Sequence, residues 1–507
     1  MNENQGTLYR FLGLVERLGN ALPHPAILFL ILTFFVLALS AMVAGMELSA
    51  LHPVSGEVIT PVNLLSASGL RYVLSEMVKS FAGFAPMGTV LVAMLGFSLA
   101  EKSGLLATIL RLLVMKSSKA MLVPVVLFAG VLSHTGGDLG YVLLIPLAAM
   151  TFHSAGMNPL AGLAICFAGV SGGFAANILL STADTLLSGL SQEAARILDA
   201  NYVVTPVSNW YFMASSSILI VGVGTLIANK ITIPFLGQYK GDQAPTDLIG
   251  LTQEEKRGLK WAGLITLALI LFLVAGLVPL DGYLRDPATP DLLHSAALKG
   301  IVAIIFLFGA LPGLAFGFAS KNFKSQNDVI NAMQDAMVMM APYIVLVFFA
   351  SQFITIFNHS NIGLILAVKG SETLKATGLG AIPLMLGFII LTVLLDLVIG
   401  SASAKWVLMA PIFVPMFMLV GISPELTQAS YRIADSVVNI ISPLMAYFPL
   451  ILSFALKYEP RAKVGTVIAL MLPYSIGFLI CWSIMLLSWM ALDLPLGPGA
   501  ILKYVAP

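Results

Sequence analysis

The feature that most constrains this chain is a series of apolar runs about as long as a bilayer is thick. A hydrocarbon core near 30 Å needs about 20 apolar residues per helix, and Ala26 to Met46, Lys260 to Leu280, Ala297 to Phe318 and Val464 to Met490 meet that length. Further spans fall around 81 to 100, 120 to 153, 210 to 235, 336 to 357 and 379 to 399, several interrupted by Gly, Pro or polar residues. Pattern alone gives about nine to eleven crossings. The runs recur from residue 22 to residue 490 without a long hydrophilic block, so the chain reads as one membrane domain, not several soluble ones. The first run is too long for a signal-peptide core and no small-x-small cleavage pattern follows it, which makes it a membrane anchor.

Composition narrows the function. Of the 507 residues, 58% are hydrophobic and 10% charged, against roughly 25% charged in a soluble domain. A net charge of +1, spread over short loops, offers no basic stripe, so nucleic acid is not an expected partner. Cys166 and Cys481 lie in apolar runs without metal-ligand spacing, which supports neither a disulfide framework nor a metal site. His134 and His359 lie near polar breaks with no second ligand at metal spacing; they read as satisfied residues at helix ends. No cofactor is expected.

Basic residues cluster at Arg10 and Arg17, at Lys256, Arg257 and Lys260, and at Lys321 and Lys324. The positive-inside rule puts these loops and the N-terminus in the cytoplasm. Asp281 to Leu293, whose only basic residue is Arg285, belongs on the opposite side. Residues 237 to 259 read as a cytoplasmic linker between halves at about 80–236 and 330–490.

The halves are related. Residues 142 to 159, VLLIPLAAMTFHSAGMNP, align without gaps on 407 to 424, VLMAPIFVPMFMLVGISP, at an offset of 265, with six identities in eighteen. That is more than two unrelated apolar segments share by composition, and Tyr141 falls opposite Trp406. In transporters built from repeats, substrate and ion sites sit near the bilayer midplane, where corresponding helices of the two halves are broken. Both copies here are flanked by small and polar residues: HTGGDLGY (134–141) and SGGFAANILLSTADTLL (171–187) in the first, GSASAK (400–405) and SVVNIISP (436–443) in the second. Such residues at membrane depth must line a cavity or fold back. The expectation is two re-entrant hairpins facing one shared site, with Ser171, Asn177, Asn439 and Ser442 at their tips. The repeat is inverted if an odd number of crossings separates the copies.

At these segments the chain resembles the p-aminobenzoyl-glutamate transporter family. The resemblance is carried by GSASAKWVLMAPIFVPM (400–416), GFAANILLSTADTLLSGLS (173–191) and SQFITIFNHSNIGLILAVKG (351–370). It implies an all-α polytopic membrane protein of about nine transmembrane helices plus two hairpins, forming a homodimer in a bacterial inner membrane. It further implies transport of folate-breakdown products such as p-aminobenzoyl-glutamate, with some members resembling proton-driven sulfonamide efflux pumps. Trp406, Pro424, Arg432 and Asp435 match the pattern associated with the family's transport site, Ser403 precedes that tryptophan, and Asp184 resembles the matching acid of the first half. Asp396 and Lys405 leave the coupling ion, proton or sodium, open.

Ionisable groups inside a membrane are functional candidates by default. Arg432 and Asp435, spaced i, i+3, can pair on a helix. Alternatively, Arg432 meets a substrate carboxylate bidentately while Asp435 exchanges a proton. Asp184 is either a coupling acid or a helix cap. Trp406 either stacks on an aromatic substrate or anchors at the membrane interface. Pro424 and Pro159 break helices. The serines and asparagines at the breaks can hold a substrate or a sodium ion, or bond helix to helix. Ser403 and Lys405 superficially suggest a serine-lysine enzyme pair, but two positions apart on a helix they point about 200° apart. The reading is a transporter of a small aromatic anion. A channel and an intramembrane enzyme are the rival classes.

Overall fold

The computed structural model describes residues 23–505 except 47, 52–55, 116, 137–138, 242, 244–249, 287–291 and 293–294. Arg10 and Arg17 lie outside the described residues. Among the described residues the fold is helical apart from one two-stranded ribbon, Ala50–Leu51 with Val58–Ile59. Among the described residues, seven helical stretches are long and apolar enough to cross a membrane.

The long helices make a frame. These are α1 (Pro25–Ala44), α2 and α3 (Ala67–Ala82 and Ala85–Lys102, jointed at Gly83), α10 (Gln253–Leu277), α11 (Ile301–Ala319) and α12 (Gln326–His359). Their ends follow local chemistry. Thr252 and Glu255 form a capping box that starts α10, and Ser325 with Asp328 another that starts α12, each satisfying N–H groups a helix start leaves orphaned. That second box carries α12 ten residues beyond the expected 336. Along the seam of α3 and α11, a Cβ on Gly96 would stand 2.5 Å from the Phe306 carbonyl, and one on Gly313 would stand 2.6 Å from Ala100 N. The two backbones touch, as small residues allow between membrane helices.

With each long helix taken as one traverse, the described end of the linker at residues 251–252, where α10 starts, and the 320–325 turn lie at one end of the molecule. Ser360 and Asn361, bonded to Val62 and Thr60, lie at the other. Arg111 pairs with Glu255 and Lys102 with Asp335 at the linker end. The described basic loops therefore fall on one side.

The repeat is visible as matching element strings. The first is α5 (Leu122–Leu132), α6 (Ile145–Ser154, entered through a wide π turn at Gly140–Leu144), α7 (Pro159–Phe167, extended by a second π turn to Gly172), α8 (Thr182–Ala195) and α9 (Trp210–Ile227). Its counterpart is α14 (Ala381–Asp396), α15 (Ala402–Met418), α16 (Pro424–Asn439), α17 (Phe448–Tyr458) and α18 (Val464–Ala491). The surface helices α4 (Leu105–Met115) and α13 (Ile362–Ala376) lead into them. The apolar stretch 120 to 153 is thus not one span. It is a helix–turn–helix unit broken at Ser133–Gly136, where the chain tightens into a single 3-10 turn. The stretch 379 to 399 is likewise one arm of a unit, α14–α15, that turns at residues 397–401.

Prolines at the first position start α7 and α16, each capped by the preceding side chain: Asn158 accepts from Leu160 N at 3.0 Å and Ser423 from Leu426 N at 3.2 Å, as helix starts prefer. The two helices begin at opposite ends. Asn158 donates to the Leu236 carbonyl beside the linker. Ser423 N donates to the Leu502 carbonyl, and the neighbouring residues 498–500 lie against the start of α11, away from the linker. Their far ends meet in the interior, where Ala175 N donates to Ser436 Oγ at 3.1 Å and Tyr141 stacks on Tyr447 at 4.4 Å. The repeat is therefore inverted.

Candidate functional site

Helix α16 explains where the chemistry sits. Its sequence, PELTQASYRIADSVVN, is largely polar, yet all sixteen residues are buried. Its charged and amide residues gather on one face, and a polar face buried inside a protein is stable only when neighbours satisfy its side chains. Here α8, α14 and α15 do so through two ionic clusters and one hydrogen-bonded chain.

The first cluster joins the two halves. Arg432 Nη1 lies 2.7 Å from Asp184 Oδ1, with the side chains 1% and 3% exposed. The other oxygen, Asp184 Oδ2, accepts from Ser181 N at 2.7 Å, Ser181 Oγ at 2.8 Å and Asn177 Nδ2 at 2.6 Å. Asp184 is thus both the cap of α8 and the ionic partner of α16, so the two readings of it are not exclusive. Arg432 Nη2 donates to the Ala175 carbonyl at 3.0 Å.

The second cluster lies within the second half. Lys405, on α15 and fully buried, forms ion pairs with Asp396, at the end of α14, and with Asp435, the latter at 2.9 Å. Asn439 Nδ2 and Tyr431 Oη each stand 3.4 Å from the Asp435 carboxylate, and Tyr431 donates to the Ala402 carbonyl. The Arg432–Asp435 pair expected from i, i+3 spacing does not form. The two side chains diverge around α16, one into the first half and the other toward α15. Asp396 and Lys405, the only charged residues between Lys375 and Glu425, flank a helix break. That isolation was the available signal for the cluster, and the sequence reading left it unused.

A third set of contacts lines up behind these. Trp406 Nε1 donates to Ser191 Oγ at 3.1 Å, Ser191 Oγ to Gln428 Oε1 at 2.6 Å, and Gln428 Nε2 to Asn209 Oδ1 at 2.8 Å. Asn209 reaches the Glu425 carbonyl, and Tyr202 donates to the Glu425 carboxylate at 2.9 Å. Trp406 packs on Tyr431 with ring centroids 4.4 Å apart and is fully buried, which rules out interfacial anchoring. Ser191, Gln428, Tyr431 and Glu425 were absent from the sequence reading, because single polar residues on a helix carry no local signal of their partners.

The remaining candidates fall close by. Pro424 opens α16 and Ser403 lies on α15, 3.4 Å from Ser401 Oγ. Ser171, Asn177, Asn439 and Ser442 are not at the tips of the helix–turn–helix units. They sit where α7 gives way to α8 and α16 to α17, the second kind of break in each half. Ser171 Oγ and Ser442 Oγ are buried without a hydrogen-bond partner, two oxygens that could receive a ligand or a cation. His134 is buried against Phe174, and His359 stacks on Tyr72 at the end of α12.

Comparison with known proteins places this arrangement. Residues 10–504 match the family described as "AbgT putative transporter family". The chain is 40% identical to the p-aminobenzoyl-glutamate transport protein of Escherichia coli K12 over 498 residues, 98% of this chain and 97% of that one. It is similar to the Alcanivorax borkumensis YdaH transporter, whose crystal structure is described as having an unusual topology, with TM-score 0.90 and 46% identity over 94% of this chain and 100% of that one. It is also similar to Neisseria gonorrhoeae MtrF, described among antimetabolite efflux pumps, with TM-score 0.91 and 47% identity over 97% and 100% of the two chains.

Proposed function

This chain belongs to the AbgT transporter family, a multi-pass membrane protein and not an enzyme, and from that premise we propose that it is a secondary active transporter of aminobenzoyl-type carboxylates, driven by the proton gradient. The observation that carries the reading is that Asp184 occupies the face of Arg432 a substrate carboxylate would use. A guanidinium binds carboxylates bidentately, so substrate and Asp184 compete for one seat. Protonating Asp184 removes the competitor and leaves Arg432 free. Proton and substrate then travel together, or exchange, depending on the order of binding and the gradients.

Proton is favoured over sodium by the second cluster. Between Asp396 and Asp435 the place of a small cation is already taken by the Lys405 ammonium. Two carboxylates around one ammonium carry an excess negative charge that a proton can neutralise without displacing any ligand. Asp435 is the second acid able to carry it. The substrate class follows the Escherichia coli relative, with p-aminobenzoyl-glutamate as the first candidate and sulfonamides the second, after the efflux pump relative. The same reading takes the protein as a homodimer in a bacterial inner membrane, with its basic loops and N-terminus in the cytoplasm; the described basic loops' common side supports that orientation.

The test is uptake of labelled p-aminobenzoyl-glutamate into proteoliposomes under imposed proton and sodium gradients separately, with Asp184→Asn and Asp435→Asn alongside. Saturable accumulation that follows the proton gradient and is lost in both variants is the expected result. Accumulation driven by sodium alone overturns the proton assignment. No flux under either gradient, with the protein intact, overturns the substrate assignment and moves the test to sulfonamides.

A further inference from the structure

A cavity of about 570 Å³ lies beside the site, on the end of the molecule away from the linker, between α3, α8, the 203–208 loop, the start of α11 and residues 498–500. It is of ligand size, and it shares α8 and α16 with the Asp184–Arg432 pair. Thr185 and Glu425, each one residue from Asp184 or Pro424, line the cavity, whereas Asp184 and Arg432 do not.

Its chemistry is one-sided. Glu425 supplies a carboxylate that is only 5% exposed, and the α16 N-terminus favours a negative charge there. Thr185 Oγ1 and Ser208 Oγ are buried with no hydrogen-bond partner. Around them stand Val203, Val204, Ile301 and Val302, an apolar wall suited to a flat ring. Among the described residues, the only cationic one in the lining is Lys299, whose side chain is 62% exposed and paired with Asp286. An occupant therefore presents hydrogen-bond donors inward and any negative charge outward.

We propose that this cavity is the antechamber of the transport path, in which Glu425 receives the amino group of an aromatic amine while the carboxylate end of that molecule faces Lys299. The inference rests on the transport reading above and adds a subsite to it: Glu425 selects for the amine, Arg432 for the carboxylate. The amine N–H donates to the Glu425 carboxylate, and Tyr202, already bonded to it, holds that group in place.

Two readouts test it. In proteoliposomes, p-aminobenzoyl-glutamate and benzoyl-glutamate, which differ only in the amino group, compete against labelled p-aminobenzoyl-glutamate. The wild type should prefer the amino compound by about tenfold, the worth of a hydrogen bond to a charged group. That preference should shrink in Glu425→Gln and vanish in Glu425→Leu. Independently of flux, Thr205→Cys, at a half-buried position in the same lining, should react with a small thiol reagent above the background of Cys166 and Cys481, and p-aminobenzoyl-glutamate should slow the reaction more than benzoyl-glutamate does. An unchanged preference in both Glu425 variants, or labelling that neither compound slows, overturns the proposal. Protection of the cysteine in a protein that shows no flux upholds the amine-binding subsite and sinks the transport reading instead. If Glu425→Leu fails to fold, Glu425→Gln and the labelling decide.

Discussion

The two ionic clusters share α16, yet they are built to opposite specifications: one joins the two halves through Asp184, and the other lies within the second half. Asp184 has one cationic partner and three further donors at 2.6–2.8 Å, so its charge is fully answered. Asp396 and Asp435 share a single ammonium, and the remaining contacts of Asp435 stand at 3.4 Å. The difference teaches that the repeat kept its backbone breaks but not its charges: the offset of 265 sets Lys405 against Gly140 and Asp435 against Val170. The pair that joins the halves is a closed latch. The cluster within the second half is a reserve of negative charge.

The sharpest way to break this comparison is to remove the shared cation. Lys405→Met leaves two buried carboxylates without a partner and should destabilise the protein by about 3–5 kcal/mol, read from thermal unfolding in detergent. Adding Asp396→Asn should recover part of that loss, a coupling that a double-mutant cycle would show. If Lys405→Met costs nothing, the second cluster is not the charged one described here.

The next largest effect belongs to Arg432. Arg432→Lys keeps a charge near Asp184 but loses the planar fork, so the fold should persist while the apparent substrate affinity falls about tenfold or more, measured as the concentration for half-maximal uptake. An unchanged affinity would separate Arg432 from the substrate and make the pair purely structural.

Asp184→Asn is subtler because it divides the two duties of one residue. The amide oxygen can still accept from Ser181 N and keep the α8 cap, but the buried Arg432 loses its counter-charge, so the stability loss should fall in the range given for Lys405→Met, while the gradient dependence of transport disappears. Transport that remained proton-driven would move the coupling acid to the other half.

Trp406→Phe is the smallest test. The ring contact with Tyr431 survives, while the bond to Ser191 and part of a fully buried ring are lost, an effect of about 2 kcal/mol on stability. A much larger loss would show that the Ser191–Gln428–Asn209 chain positions α8 against α16.

These contrasts also mark what the sequence made legible. The repeat offset located both broken helices and the matched prolines Pro159 and Pro424, because backbone-breaking residues act locally and leave a local trace. Motif resemblance singled out Asp184, Trp406, Arg432 and Asp435. Partner choice was not legible. The i, i+3 spacing made Arg432 and Asp435 look like a pair, but each found a stronger partner on another helix, and such contacts depend on how helices are rotated in the packed core. Residues 120 to 153 looked continuous for the related reason that hydropathy averages over a turn made of small residues. Glu425 stood in an exposed-looking loop sequence, after Gly421 and Pro424, and only tertiary packing buries it.

The glycine seam between α3 and α11 has a practical consequence for anyone following this molecule through its cycle. Where Gly96 and Gly313 bring backbone against backbone, there is no slack for sliding, so that seam is the natural origin for a ruler. Pairs of spectroscopic labels should place one member on it and the other on α8, α15 or α16. A distance that changes across such a pair then reports motion of the site itself, and one that changes between two labels on the seam reports a damaged protein.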